Sequence, residues 1–432
     1  MRRFLPAILT LLLVTSCGYR APMYKTAITT DPSQYVSVRE SYRELAALMD
    51  SDTGMPPTDS NTLNLLPDQR QKWELLNHDL ARATRSIYID VYQFSLDSGG
   101  RILSDILKEK RAEGVDVRII MDKGANSHED RKNFAALKED SIDVRYFYFP
   151  QSLRDNLFPA LGARRDHRKI TLIDGLTAYI GGRNMKEEYF FSWRDTDLRL
   201  SGPAVRDLGR VYMENQQRVA PELPPIQGLE EAPRQRRTDT LPGLRHFHDK
   251  TVQIVPDDPW NDRLPIRNAW EWAITHARSY FYIYTPYTPP PPSTLKALKA
   301  AAARGVDVRW ILPAHNDVTM AKWIGEALYK KLLKAGIRIY EWQGEMMHAK
   351  QFIVDDYLMA VGSANMDNNS FFLNLEVEAL VYDGEIAAYA RDYFLREIET
   401  DCHEITLEEI KHWNVFRRIR NSTIRALGGP IS

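Results

Sequence analysis

Cysteine is nearly absent from this sequence: Cys17 and Cys402 are the only two in 432 residues. So sparse a supply excludes a disulfide-stapled scaffold and makes cysteine chemistry an improbable centre of function. Net charge is also missing. The chain carries 57 Lys and Arg against 58 Asp and Glu, a formal charge of −1. Nothing therefore draws the whole molecule toward nucleic acid, and nucleic acid is not an expected partner. Long apolar runs are scarce too. The stretch from Phe4 to Val14 is too short to span a bilayer as a helix. What remains is an ordinary globular composition, 44% hydrophobic and 10% aromatic, over a length that allows two or three domains.

Against that plain background one pattern occurs twice. His348-Ala349-Lys350 is followed by Asp355 and then by Gly362-Ser363-Ala364-Asn365. Earlier, His167-Arg168-Lys169 is followed by Asp174 and then by Gly181-Gly182-Arg183-Asn184. In both copies the Asp comes seven positions after the His and the Asn seventeen positions after it. His and Lys two apart on an extended strand share a face. The apolar run Gln351-Phe352-Ile353-Val354 predicts that strand, and Tyr357 to Val361 predicts a second one that returns Ser363 and Asn365 beside the first. One His-x-Lys pair is usually a polar strand edge. Two copies with matched downstream residues call for a common chemistry, the holding of a phosphate with acid–base or nucleophilic work done on it.

The pattern His-x-Lys-x4-Asp-x6-Gly-Ser-x-Asn, present twice, resembles the phospholipase D superfamily. The second copy fits at every position; the first has Gly182 where the family usually has Ser, which implies one hydroxyl contact to phosphate fewer. Three other segments resemble bacterial cardiolipin synthases: Tyr284-Thr285-Pro286-Tyr287, Arg304-Gly305-Val306-Asp307-Val308-Arg309, and Trp193-Arg194-Asp195 leading to Gly202-Pro203-Ala204-Val205. The resemblance extends from about Asn61 to Phe394. It implies two duplicated α/β/α sandwich domains packed with pseudo-twofold symmetry around one active site, and a phosphohistidine intermediate.

The N-terminus reads as a targeting segment. Arg2-Arg3 precedes the apolar stretch, and Val14-Thr15-Ser16-Cys17 follows it, which resembles a bacterial lipoprotein cleavage site. Cys17 is then the lipidated first residue of an exported protein held at the periplasmic face of an envelope membrane. An ordinary signal peptide, or an uncleaved anchor, is the plainer alternative. Residues 18–60 read as a tether with one possible short helix from Val38 to Met49. Residues 61–220 form a first domain, 221–242 a linker rich in Pro, Glu and Arg, and 243–432 a second domain.

Periodicity supports the duplication. In the first half, helices are expected at Gln71 to Ala83 and Ile102 to Ala112, and strands at Ser86 to Phe94, Val115 to Met121 and Ile142 to Phe149. In the second half, helices are expected at Trp270 to Ala277 and Leu295 to Ala303, and strands at Tyr280 to Tyr284, Val306 to Leu312 and Ile337 to Trp342. Gly114-Val115-Asp116-Val117-Arg118 returns as Gly305-Val306-Asp307-Val308-Arg309. Strands alternating with helices give an α/β layered fold.

Cleaving a phosphodiester needs a nucleophile on one side of phosphorus and a proton donor on the other. Histidine, with an unperturbed pKa of about 6.5, suits both tasks. His167 is assigned as nucleophile and His348 as acid, although near-symmetry leaves the choice open at this level. Lys169 and Lys350 neutralise the phosphoryl oxygens, while Asn184, Ser363 and Asn365 add neutral donors. A carboxylate should orient each His. Asp195 follows His167 by 28 positions and Glu376 follows His348 by 28, so each is paired with the His of its own half, with Asp197 as a fallback. Asp174 and Asp355 are counted in the catalytic motif, with turn-forming roles in view. Tyr284, Tyr287, Phe371 and Phe372 are candidates for a lipid cleft, set against core packing, the commoner fate of such residues. Arg164 and Arg165 are candidates for headgroup contact, set against a solvated loop. No His/Cys/Asp cluster with metal-ligand spacing is visible, and no cofactor is expected.

Three functions compete. The first is transfer of a phosphatidyl group to an alcohol by a cardiolipin synthase-like enzyme acting as a monomer on an anionic, phosphatidylglycerol-like lipid at a membrane surface. The second is hydrolysis, by a phospholipase D or a nuclease. The third is a non-catalytic lipid-binding lipoprotein, against which stands the presence of His and Lys in both copies. The tail from Trp413 to Leu427, where Phe416 and Ile419 alternate with Arg417, Arg418, Arg420 and Arg425, either lies on a membrane or packs on the body. The leader yields a first expected outcome. Cys17→Ala leaves the chain unlipidated and shifts it out of the membrane fraction or blocks its processing. Fractionation and intact-mass measurement of the mature protein check this, and unchanged attachment and mass would remove Cys17 from the reading.

Overall fold

The computed structural model describes residues 38–137, 140–148, 164–226, 244–260 and 262–427. The leader, Cys17, most of the expected linker and the loop before Arg164 lie outside the described residues. In the first half the strands are β1 (Thr58–Leu66), β2 (Ser86–Val91), β3 (Asp116–Asp122), β4 (Asp143–Phe147), β5 (Lys169–Ile173), β6 (Thr177–Gly181) and β7 (Asp197–Ser201). In the second they are β8 (Phe247–Asp257), β9 (Tyr280–Tyr284), β10 (Asp307–Pro313), β11 (Arg338–Trp342), β12 (Gln351–Val354), β13 (Leu358–Gly362), β14 (Glu376–Tyr382) and a short β15 (Cys402–Ile405).

These strands form one sheet in the order β15-β11-β10-β9-β12-β13-β14-β8-β1-β7-β6-β5-β2-β3-β4. Read outward from its centre, the sheet is the same list twice: β1-β7-β6-β5-β2-β3-β4 on one side and β8-β14-β13-β12-β9-β10-β11 on the other, with β15 added at the edge. The fold is the duplicated α/β architecture expected. In each half the strands separated by helices run parallel, β2-β3-β4 and β9-β10-β11. The motif strands return as antiparallel hairpins, β5-β6 and β12-β13. The sheet bends so that β13 and β14 come against β6 and β7. One apolar core then runs through both halves, with Leu63, Ile170 and Leu198 joined to Tyr282, Ile353 and Val377. Across it the buried guanidinium of Arg194 meets the Glu397 carboxylate at 2.8 and 3.0 Å, an ion pair from one half to the other.

Expected elements recur with shifted ends. The first helix spans Gln69–Ala81 and is capped by the Asp68 carboxylate, which accepts from the Gln71 N–H at 2.7 Å. The short helix expected from Val38 to Met49 is present as Val38–Thr53, but the loose tether around it is a correction, because the helix packs Tyr42, Leu45 and Met49 into the core of the second half. The next segment is β1, at the centre of the sheet, antiparallel to both β7 and β8. It escaped detection because Asp59, Ser60, Asn61 and Asn64 make it read as polar. Asn61 is fully buried, yet satisfied: its Nδ2 donates to the Thr58 and Lys250 carbonyls, and its Oδ1 accepts from the Ala204 N–H.

Asp174 and Asp355 take the turn-forming role in view and leave the catalytic list. Each sits at positive φ in the turn after its motif strand, at 57° and 51°. The Asp174 carboxylate accepts from the N–H groups of Thr84, Arg85 and Ser86 at 2.7–3.0 Å. That of Asp355 accepts from Arg278, Ser279 and Tyr280 at 2.8–3.1 Å. They tie down the starts of β2 and β9. Lys169 and Lys350 lie at the opposite ends of the motif strands, about 16 Å away at ~3.3 Å per residue. These Asp residues hold turns and do not reach the reacting groups. Asp174→Ala and Asp355→Ala each orphan several backbone donors. Each is expected to lower unfolding free energy by about 1–3 kcal/mol, read by denaturant melts, while the folded fraction keeps its turnover at low temperature.

Candidate active site

His167 and His348 lie just before β5 and β12, on stretches that reach across to the other half. The His167 N–H donates to the Leu375 carbonyl at 2.9 Å and the Leu375 N–H donates to the Arg165 carbonyl at 2.8 Å. On the other side, the Arg194 N–H donates to Met346 at 2.8 Å and the His348 N–H to Arg194 at 2.6 Å. These two short parallel bridges set the residue after each partner, Glu376 and Asp195, beside the opposing imidazole.

The carboxylates are thus exchanged between the halves. His167 Nδ1 lies 2.9 and 3.0 Å from the two Glu376 oxygens. His348 Nδ1 lies 2.8 Å from Asp195 Oδ2. Equal sequence offsets had paired Asp195 with His167 and Glu376 with His348. The structure keeps all four residues and swaps the partners. Sequence spacing located the acids correctly because the duplication preserves position, but it carries no sign of which half supplies the partner. The fallback Asp197 is engaged elsewhere, in a buried ion pair with Arg183.

Each lysine turns back on its own histidine. Lys169 Nζ donates to the His167 carbonyl at 2.5 Å. Lys350 Nζ donates to the His348 carbonyl and lies 2.6 and 3.0 Å from the two ring nitrogens of His348. Burial pushes both ammonium groups down, Lys169 to about 7 and Lys350 to about 8, with Glu376 and Asp195 pulling the other way. Burial also lowers both imidazoles. His348 is driven well below its ordinary value by burial, then by Lys350 and Lys169; His167 is lowered by burial, against the pull of Glu376. Burial alone would raise Glu376, but the charges and hydrogen bonds of His167, with Lys169 and Ser363, hold it below the ordinary carboxylate value. Asp195 is pushed up by burial, opposed by Lys350 and Arg183.

The third elements of the motif divide differently from expectation. The Ser363 hydroxyl donates to Glu376 at 2.5 Å and accepts from the Val377 N–H at 3.0 Å, so it fixes the carboxylate instead of presenting a donor to phosphate. A Cβ at Gly182 would fall 2.4 Å from Asp195 Oδ1. Gly182 therefore makes room for Asp195, and the missing hydroxyl reflects the shorter acid in that half. Asn184 is tied on both sides: its Oδ1 accepts from the Gln93 N–H at 3.3 Å and its Nδ2 donates to the Tyr189 hydroxyl at 2.9 Å. Asn365 is buried with its side-chain oxygen unpartnered.

Aromatic walls complete the site, and most were not foreseen. Tyr92 meets the His167 ring edge-on at 4.8 Å, and Tyr189 and Trp193 flank His348 at 5.1 and 5.7 Å. Of the four cleft candidates only Tyr287 is brought to a histidine, 6.0 Å from His348. Tyr284 is buried with its hydroxyl on Glu397, Phe371 is in the core, and Phe372 packs beside that core under the Arg267 guanidinium. Arg165 faces Asp122 at 3.4 Å, and Arg164 stacks on Trp260 at 5.2 Å. Tyr92 follows β2 directly and lies inside the strand expected from Ser86 to Phe94, and Trp193 opens the Trp193-Arg194-Asp195 run, so both were within reach of the sequence signal.

Comparison with known proteins agrees with this arrangement. The family model described as "Cardiolipin synthase, PLD-like domain" matches residues 76–215 and 272–398, one match per half. The chain is 33% identical over 385 residues to the major cardiolipin synthase of Bacillus subtilis, covering 86% of this chain and 75% of that protein. It is 30% identical over 402 residues to a cardiolipin synthase of Clostridium perfringens, covering 89% and 80%. Among solved structures, the phosphatidylserine synthase of Haemophilus influenzae superposes with a TM-score of 0.64 at 15% identity, over 89% of this chain and 98% of that one, a likeness of fold.

The exchanged pairs yield a measurable expectation. In double-mutant cycles read by unfolding free energy, Glu376→Gln couples to His167→Ala and Asp195→Asn to His348→Ala by about 0.5–3 kcal/mol. The same-half combinations are nearly additive. Coupling within halves instead of between them would contradict the crossed geometry.

Proposed function

The chain belongs to the phospholipase D superfamily and is a phosphatidyltransferase, and from that premise we propose that it is a cardiolipin synthase-like enzyme working through a phosphohistidine. Its donor is an anionic phospholipid of the phosphatidylglycerol type, and its acceptor is the hydroxyl of a second lipid headgroup. The observation that carries this reading is the pair of buried imidazoles, each aligned by an acid from the opposite half and accompanied by its own lysine. One chain supplies both halves of the site, so a monomer suffices.

His167 is the nucleophile. Its Nδ1 is held by both oxygens of Glu376, which stays ionised, so a neutral ring carries its proton on Nδ1 and offers Nε2 to phosphorus. No ammonium lies at hydrogen-bond distance from its ring among the described contacts. The His348 ring, in contrast, has its Nδ1 proton turned to Asp195 and its Nε2 3.0 Å from the Lys350 ammonium, which engages the one electron pair an attack would need and places a proton source beside it.

In the first step Nε2 of His167 forms a bond to phosphorus, the bond from phosphorus to the leaving headgroup oxygen breaks, and His348 gives that oxygen a proton. In the second, the acceptor hydroxyl passes its proton to His348, its oxygen bonds to phosphorus, and the phosphorus–nitrogen bond breaks. Lys169 and Lys350 balance the charge on the phosphoryl oxygens as it develops. Water in place of the acceptor would make the same site a hydrolase. Lipidation of Cys17 would hold the enzyme at the exported face of an envelope membrane, beside its substrate.

Expression in cells deleted for their own cardiolipin synthases is expected to restore cardiolipin, read by mass spectrometry of extracted lipids. Accumulation of phosphatidic acid alone would favour hydrolysis. Trapping with a labelled phosphatidyl donor should leave an acid-labile adduct on the peptide containing His167. His167→Ala abolishes the adduct, while His348→Ala still forms it slowly from a donor with a good leaving group. Label confined to the His348 peptide would reverse the two roles.

A further inference from the structure

The C-terminal helix Val415–Leu427 packs on the helix Thr319–Lys334 and runs antiparallel to it. Trp413 meets Tyr329 with ring centroids 6.3 Å apart, Arg417 pairs with Glu326 at 2.9 Å, and Arg420 stacks on Trp323 at 5.0 Å while also reaching Glu326. Asn421 and Ile424 are buried on the same side. Contacts at residues 329, 326 and 323 in turn show the helix heading toward Thr319. That end adjoins the catalytic site: Asp317 accepts from the Tyr287 hydroxyl at 2.9 Å, and Tyr287 faces His348.

The opposite face is uncovered and apolar over its first turns, before the exposed Ser422 and Thr423. Val415, Phe416 and Ile419 are 59%, 81% and 58% exposed, and Phe416 is the most exposed of the nine large hydrophobics exposed among the described residues. Three of those nine thus fall within five residues of one helix, while Val318, 47% exposed, adds a fourth beside Asp317 at the rim of the site. Arg418 is exposed beside these side chains, while Arg417 and Arg420 are paired with Glu326 on the packed side; after His412 the sequence contains no acidic residue. Pairing of this face with its own copy would set arginine against arginine. An anionic surface complements both its charge and its apolar ridge.

We propose that the outer face of this helix, Val415, Phe416 and Ile419 flanked by Arg418, docks the enzyme on an anionic lipid bilayer. The apolar side chains enter the boundary between headgroups and acyl chains, the arginine meets lipid phosphates, and the helix axis leads from the bilayer contact toward the mouth of the site. This orients the catalytic cleft to the membrane independently of any N-terminal anchor. Phe416 and Ile419 make no contact with the catalytic residues.

The test uses the full-length chain with Cys17→Ser and Cys402→Ser, carrying Phe416→Cys labelled with nitrobenzoxadiazole; Glu109→Cys with the same label is the control on an exposed helix surface elsewhere. With vesicles of phosphatidylglycerol and phosphatidylcholine, the label at 416 is expected to shift to the blue and to be quenched by bilayer-borne doxyl lipid, with a much weaker response on phosphatidylcholine alone. The label at 109 stays in water. A label at 416 that remains in water with the anionic vesicles overturns the proposal. So does one that becomes buried without vesicles as protein concentration rises, which would identify a second copy as the occupant. This readout needs no turnover and stands even if the assigned reaction fails. In the active enzyme, Phe416→Ser with Ile419→Ser raises the vesicle concentration for half-maximal rate by about tenfold and leaves turnover of dispersed short-chain phosphatidylglycerol unchanged. Equal loss on both substrates, or on neither, counts against docking by this face.

Discussion

Two imidazoles and two ammonium groups are buried within reach of one another, and their charge is compensated by two carboxylates that each half donates to the other. Desolvating an unpaired charge costs several kcal/mol, so neither half can bury its own histidine and lysine in this form alone. The bent sheet, the β1–β8 seam and the buried Arg194–Glu397 pair all serve that docking. The short bridges Asp166–Leu375 and Arg194–Met347 then convert it into side-chain geometry. The site is a property of the interface between the repeats, and the repeats are bound together by what the site requires.

Within this symmetry the halves have diverged in a matched way. One pairs glycine with the shorter acid, Gly182 with Asp195; the other pairs serine with the longer one, Ser363 with Glu376. The lysines differ as well, one turned to its backbone carbonyl and the other also laid against its imidazole. A symmetric scaffold thereby presents two unequal histidines, which is what a reaction with one nucleophile and one acid needs.

Much of this was legible in the chain. The paired motifs, their lysines and the two acids stood at equal offsets because gene duplication copies sequence position. The strand Tyr280 to Tyr284 was readable because a buried strand is a nearly unbroken apolar run, and Val306 to Leu312 because its β-branched and aromatic residues alternate with Asp307 and Arg309 before an apolar end. Less visible was β1, whose polarity is that of Asn61 and Asn64, buried residues satisfied by partners more than a hundred positions away. A local pattern cannot show a hydrogen bond closed at such a distance.

By itself, then, the sequence determined the duplication, the layered α/β class and the positions of the paired histidines, lysines and acids, since each of these rests on local periodicity or on repeated spacing. Which acid serves which histidine, that Ser363 serves Glu376, which backbone donors Asp174 and Asp355 hold, and that the segment from Val38 to Leu66 belongs to the core were decided only in three dimensions. Each is a contact between residues far apart in the chain, set by how two similar halves meet, and spacing within one half carries no information about the other.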